Sequence, residues 1–165
     1  MMIYTGVGSR ETPSDILRVI EKLAANFGKK GHTLRSGGAE GADSSFELGC
    51  RSVAGSMEIY LPWYKFNGNR SPLFTITEEA YKIASRIHPC WEACTPAARK
   101  LHARNCYQVL GRNLNQPSDL LICWTKNGQS VGGTRTAIEL AKEHKIPIVN
   151  LANKETVQWI IKEFL

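Results

Sequence analysis

Three short stretches combine glycine with hydroxyl and charged side chains, and each lies after an apolar run. Gly6-Val7-Gly8-Ser9-Arg10 is the first. Ser36-Gly37-Gly38-Ala39-Glu40-Gly41-Ala42-Asp43 is the second, and Gly132-Gly133-Thr134-Arg135-Thr136 is the third. Glycine lets a backbone turn tightly and approach a ligand with no Cβ in the way. A helix that starts just after such a loop aims free N–H groups and the positive end of its dipole at the gap. The chemistry these residue types suggest is the grip of an anion, a phosphate above all. Ser9, Ser36, Thr134 and Thr136 would add hydroxyl donors, and Arg10 follows the first loop closely enough to meet the same charge. No stretch matches Gly-x-Gly-x-x-Gly or the Lys-bearing P-loop. One glycine loop is ordinary turn chemistry; three at one edge of a sheet carry the argument.

The elements that must position these loops are legible from periodicity. Residues 2–7 form an apolar, β-prone run. Thr12-Pro13-Ser14-Asp15 reads as a helix start with Ser14 as the cap, and Ile16, Val19, Ile20, Leu23, Ala24 and Phe27 recur at helical spacing. Further strands are predicted at 32–35, 56–61, 119–124 and 146–151. Further helices are predicted at 42–50, near 78–87, and at 97–114, 134–143 and 154–164. Between Pro62 and Pro96 the chain makes an excursion too long for a plain loop. Strands alternating with helices predict an α/β, Rossmann-like fold: a mostly parallel sheet with helices on both faces and an extra segment after the third strand. No repeat or linker divides it, so residues 1–165 are expected to form one domain with an insertion at about 62–96. In such a sheet ligands sit beyond the carboxyl ends of the strands, which is where all three loops fall.

Bulk properties agree with this class. The 165 residues are 42% apolar and 22% charged, with a net charge of +6 that favours an anionic partner. No apolar run approaches a membrane span. The start of the chain reads as a first strand rather than a signal peptide, and five cysteines without repeating spacing argue against a disulfide framework. The expected setting is a reducing cytoplasm. His88, Cys90, Cys94, His102 and Cys106 lie close together in sequence, yet there is no Cys-x-x-Cys pair and no finger spacing. They read as small thiols and ordinary histidines, so no metal and no cofactor is predicted.

The order GVGSR, SGGAEGAD, ARN, SDLLI and GGTRTAIELA resembles the SLOG superfamily, whose members include the DNA-processing protein DprA and the LOG-type phosphoribohydrolases. RSGGAEGADSSFELG is similar to the DprA anion-site loop, with Gly41 and Asp43 on its Gly and Asp. Arg104-Asn105 is similar to the Arg-Asn pair of the DprA helix. VGGTRTAIE is similar to the LOG signature Pro-Gly-Gly-x-Gly-Thr-x-x-Glu, with Thr136 and Glu139 on its Thr and last Glu. Val131 stands in place of the proline and Arg135 in place of the second glycine.

The resemblance implies binding of a nucleotide or nucleoside phosphate, with hydrolysis of its N-glycosidic bond as the reaction if there is one. Glu139 would then be the carboxylate beside the sugar and Arg104 the cation. Gly132, Gly133, Thr134 and Thr136 would hold the phosphate, and Glu40 and Asp43 the ribose hydroxyls. Two alternatives stay open. One is DprA-like binding of single-stranded DNA, for which Arg104, Gln108 and Arg112 would line one stripe of a continuous helix, with Trp63, Tyr64, Phe66 and Trp91 beside it. The other is a sensor or sponge that holds a nucleotide-derived signal without turnover. Self-association into a homo-oligomer is also implied by the resemblance.

Overall fold

A computed structural model describes all residues, Met1–Leu165. Five strands form one parallel sheet in the order β3-β2-β1-β4-β5: β1 (Ile3–Gly8), β2 (Thr33–Ser36), β3 (Met57–Ile59), β4 (Leu120–Trp124) and β5 (Ile148–Asn150). Six helices cover it: α1 (Ser14–Lys29), α2 (Ala42–Ser52), α3 (Glu78–Ile87), α4 (Pro96–Leu110), α5 (Arg135–Glu143) and α6 (Lys154–Phe164). The chain is α/β and Rossmann-like, as its periodicity predicts. No helix is long and apolar enough to cross a membrane.

The alternating side chains of the central strands build two cores. Tyr4, Leu34, Ile59 and Ile122 pack with Ile20, Leu23 and Phe27 of α1, Phe46 and Cys50 of α2 and Ile160 of α6. Val7, Leu121 and Cys123 pack on the other face with Ala80 and Ala84 of α3, Ala103, Cys106 and Leu110 of α4, and Ile138 and Leu140 of α5. A strand buried on both faces cannot show polar alternation, which is why β1 and β4 are near-continuous apolar runs.

Several element ends differ from expectation for local reasons. Ser14 is the first residue of α1 rather than its cap; extended Pro13 takes the cap position, with no side-chain hydrogen bond there. Thr95 caps α4 by accepting from the Ala98 N–H at 3.1 Å, and Pro96 fills the first turn, where a missing N–H costs nothing. That helix stops at Leu110, because Gly111 turns left-handed (φ +78°). Leu114 and Arg112 therefore lie beyond it. The excursion is mostly ordered by α3 and two 3-10 turns, Phe66–Gly68 and Trp91–Ala93. A bridge from Tyr60 to Leu73 extends the sheet edge into it.

For the site, the decisive feature is the sheet order. β1 has β2 on one side and β4 on the other, and the chain crosses from one face to the other between them. Gly8 pairs with Trp124, so β1 and β4 end level, and a crevice opens where their following loops diverge.

Candidate functional site

A cavity of about 430 Å³ occupies that crevice. Its floor is the end of β1, Val7 and Gly8. Ser9, Arg10 and Glu11 form one wall, and Ala39 and Asp43 another. Val131, Gly132, Gly133 and Thr134 form the third, with Thr125 and Lys126 below them. Helix α4 supplies the back through Leu101, Arg104, Asn105 and Gln108, and Phe66 reaches in from the excursion. All three glycine loops thus meet at one place.

The first two loops are locked together. A Cβ on Gly41 would sit 2.7 Å from the Ser9 carbonyl oxygen and 2.8 Å from Arg10 Cα, and this residue also has φ +84°. Only glycine lets the loop after β2 press against the loop after β1. Ser36 is fully buried, and its hydroxyl donates to the Gly6 carbonyl at 2.6 Å. That bond ties the ends of β1 and β2, and it removes Ser36 from any ligand.

Behind these loops lies a buried polar cluster. Arg104 is 5% exposed and Asp43 4%. Nη1 of Arg104 donates to the Gly37 carbonyl and, at 3.3 Å, to the Tyr60 carbonyl; Nε donates to Asn105 Oδ1 at 3.1 Å. Gln108, in the amide orientation that satisfies its neighbours, accepts from the Gly37 N–H at 3.1 Å and from Arg104 Nε at 3.2 Å. Burial lowers Arg104 to about 10, with Asp43 opposing, so the guanidinium stays charged at neutral pH. Burial pushes the Asp43 carboxyl up to about 6, against the pull of Arg104 and of the Ala39 N–H. Asp43 Oδ2 accepts weakly from Ala39 N–H at 3.4 Å, while buried Oδ1 has no hydrogen-bond partner. The Gly8 and Gly37 amides also pull on this carboxylate, and Oδ1 has almost no surface of its own, so Asp43 braces the cavity wall from behind.

The third loop is built differently. Nothing lies within 4 Å of a Cβ placed on Gly132 or Gly133, and both residues are exposed. The N-terminal turn of α5 carries no side-chain cap, and the Arg135 N–H turns back to the Gly132 carbonyl. Asn105 holds this loop from behind by donating Nδ2–H to the Gly133 carbonyl at 2.6 Å. Three cations, Arg10, Lys126 and Arg104, and two acids, Glu11 and Asp43, line the cavity.

No family model matches the sequence, and no curated protein matches it. Solved structures do. DNA processing protein A from Helicobacter pylori superposes with a TM-score of 0.58 at 15% identity, covering 99% of this chain and 82% of that one. The Moco carrier protein of Chlamydomonas reinhardtii superposes with a TM-score of 0.54 at 17% identity, covering 90% of this chain and 73% of that one. The protein TM1055 gives 0.53 at 18% identity, covering 90% and 72%. The chain shares the fold of these proteins.

Within this fold, the residues predicted for the site separate into groups. Gly8, Ser9, Arg10, Asp43, Arg104, Gly132, Gly133 and Thr134 line the cavity. Ser36 and Gly37 form the framework beneath it. Gly38 lies beyond the cavity lining, with Leu61 and Asn69 as its neighbours, and Glu40 is exposed outside the lining. Thr136 is buried and engaged with His102 Nδ1 at 3.0 Å. Arg135 turns along its own helix toward Glu139, 3.9 Å away.

Glu139 does not line the cavity. Its carboxylate accepts from the Ser130 hydroxyl at 2.7 Å and pairs with Lys142 at 3.4 Å. The Ser130 bond, with Lys142 and Arg135, holds it below the usual carboxylate range. The stripe of Arg104, Gln108 and Arg112 does not form a basic groove, since the first two are buried and the third lies past the helix end. Two lining residues that the motifs did not single out are Lys126 and Glu11. Both sit one or two positions past a strand or loop that was flagged, so the carboxyl-edge rule could have reached them.

Proposed function

We propose that this SLOG domain binds a nucleotide or nucleoside phosphate in the crevice between β1 and β4. The phosphate rests on the amides of Gly132, Gly133 and Thr134, flanked by Arg10 and Lys126. The sugar lies along the wall that Asp43 braces. The observation that carries this reading is the convergence of three glycine loops on one cavity, with open space over Gly132 and Gly133. A volume of about 430 Å³ is in the range of small-ligand sites. The fold is shared with a protein named as a Moco carrier and with one named for single-stranded DNA binding, so proteins of this fold are named for ligands of very different size.

Binding is the better-supported part of this reading, and turnover the weaker. Glu139, the carboxylate expected beside the sugar, is occupied by Ser130 and Lys142 and stands off the cavity lining. A carrier or sensor without hydrolysis accords with that geometry.

The test incubates the purified chain with nucleoside monophosphates, ADP-ribose and cyclic nucleotides, then measures retained ligand, free base and ribose phosphate. Retention of a phosphate-bearing ligand, weakened at least tenfold by the exposed pair Arg10→Ala and Lys126→Ala, supports the proposal. Retention that this double variant leaves unchanged would sink it. Release of base that Glu139→Gln abolishes would establish hydrolysis as well.

One observation favours a second reading. Trp63, Tyr64 and Phe74 are exposed on the excursion, and Trp63 meets Phe66 of the cavity wall edge-on with ring centroids 5.3 Å apart. Exposed aromatics beside a cationic crevice suit stacking of single-stranded bases. A labelled oligonucleotide that binds with a steep salt slope, when no small nucleotide is retained, selects this reading.

A further inference from the structure

Sequence spacing gave no reason to expect a metal centre, yet the fold gathers three soft donors from separate elements. His88 follows the last turn of α3, Cys94 follows the Trp91–Ala93 turn, and His102 lies in the second turn of α4. A ligand atom from each falls within 4.8 Å of the other two. Cys94 Sγ is 3.8 Å from His88 Nδ1 and 3.7 Å from its Nε2; Nδ1 accepts from the Cys90 N–H at 3.0 Å, a bond that an ion at Nδ1 would replace. Sulfur and nitrogen bound to one tetrahedral zinc ion stand about 3.5 Å apart, given bonds of about 2.3 and 2.0 Å. The two imidazoles meet with ring centroids 4.5 Å apart.

A second observation concerns orientation. Nδ1 of His102 is held by the Thr136 hydroxyl at 3.0 Å, which leaves Nε2 as the free donor. Histidines that bind metal commonly have their other ring nitrogen fixed in this way. No disulfide competes for the thiol, since all five cysteines are free. Cys106 is excluded from the group by burial in the core, where its Sγ lies 3.7 Å from the Ala80 carbonyl. Cys90 is exposed, and its thiol does not join the cluster.

We propose that Cys94, His88 and His102 bind one zinc-class divalent ion, leaving a fourth coordination position to water. The ion would pin the end of the excursion to α4. That helix also carries Asn105, one turn on, which grips Gly133 of the third loop. His102 reaches the same region through Thr136 in the first turn of α5. The centre therefore braces the frame of the third loop, whichever ligand fills the cavity.

The experiment uses the full chain, stripped with a chelator and titrated with zinc in competition with a chromophoric chelator, and separately with cobalt(II). One equivalent of zinc is expected, and cobalt should give a thiolate-to-metal charge-transfer band with the intense visible bands of tetrahedral geometry. Cys94→Ser should abolish the charge-transfer band and weaken zinc at least tenfold. His88→Gln, at a partly exposed position that the core does not need, should weaken zinc similarly. Thr136→Val should cost about tenfold through loss of ring orientation, while Cys90→Ser should change nothing. Absence of stoichiometric binding at micromolar zinc would overturn the proposal. So would wild-type affinity in both Cys94→Ser and His88→Gln, or a loss in Cys90→Ser equal to that in Cys94→Ser.

Discussion

The loop after β2 and the loop before α5 are both written with a pair of adjacent glycines, and they use them for opposite ends. At Gly37 the missing side chain is replaced by protein. A Cβ there would lie 1.9 Å from the end of the Gln108 amide, its oxygen in the orientation given above, and 2.8 Å from both Arg104 Nη1 and Asp43 Oδ2. At Gly133 it is replaced by nothing within 4 Å. Gly37 makes room for a buried polar cluster; Gly132 and Gly133 stand open to solvent. Glycine in a loop is thus two different statements, and only what lies opposite it tells them apart. A framework glycine should be expensive to change and indifferent to ligand. A cradle glycine should be the reverse.

The largest expected effect lies on the framework side. Arg104→Met removes the cation that faces Asp43 and leaves the Gly37 and Tyr60 carbonyls short of a donor. Breaking a buried, charged hydrogen-bond cluster by removing one partner costs about 3–5 kcal/mol. Chemical denaturation should show a loss of that size. A loss below about 1 kcal/mol would mean that Arg104 is held there for a ligand and not for the fold. Next is Gly37→Ala, which overpacks the same cluster. Intrusions of this kind cost about 1–3 kcal/mol, and here the closest atom sits at the end of a side chain that is itself fully buried. If Gly37→Ala melts like the wild type, the contrast between the two loops fails.

How much of this was legible in the sequence follows the same division. Parallel strands, their helices and the meeting of three loops at one edge could be read, because hydrophobic period and glycine position depend on local backbone alone. Which polar residues face a ligand could not. Ser36, Arg104 and Thr136 carry the residue types of a phosphate site, yet each is spent on a protein partner: Gly6, Gly37 and His102. Those partners lie between 30 and 67 positions away in sequence, and no local pattern records them. The partner of Glu139 was equally out of reach, since Ser130 belongs to an irregular loop whose path depends on tertiary packing. The end of α4 was legible in principle from Gly111, but an apolar residue at helical spacing beyond it, Leu114, masked the stop.

The third effect is a pH dependence that belongs to the framework. Asp43 sits at about 6 in the folded chain against 3.8 as an ordinary carboxyl. The folded state therefore holds the proton more tightly than the unfolded state. The stability it contributes is full below about pH 4 and is lost as pH rises through about 6. A shift of this size corresponds to something on the order of 2–3 kcal/mol. The difference between wild type and Asp43→Asn isolates this group from other titrations. Plotted against pH, the wild-type advantage should fall between pH 4 and 7 and then level off. A flat difference would mean that Arg104 and the loop amides cancel the effect of burial, and an advantage that rises with pH would mean that they hold Asp43 ionised.

Gly133→Ala should produce the smallest change in stability and the most informative one. Its Cβ would enter open space at a residue without a left-handed backbone, so unfolding free energy should move by less than about 0.5 kcal/mol. Affinity for a retained phosphate ligand should nonetheless fall, because a methyl group now stands where the anion approaches the amides. About tenfold is expected, from loss of one or two charge-assisted hydrogen bonds. The pairing of outcomes is what matters: Gly37→Ala destabilised with its ligand affinity kept in the folded fraction, and Gly133→Ala stable with its affinity reduced. If Gly133→Ala binds as well as the wild type, the open glycines are only a flexible turn, and the anion must be held by the Arg10 and Lys126 side chains without these amides.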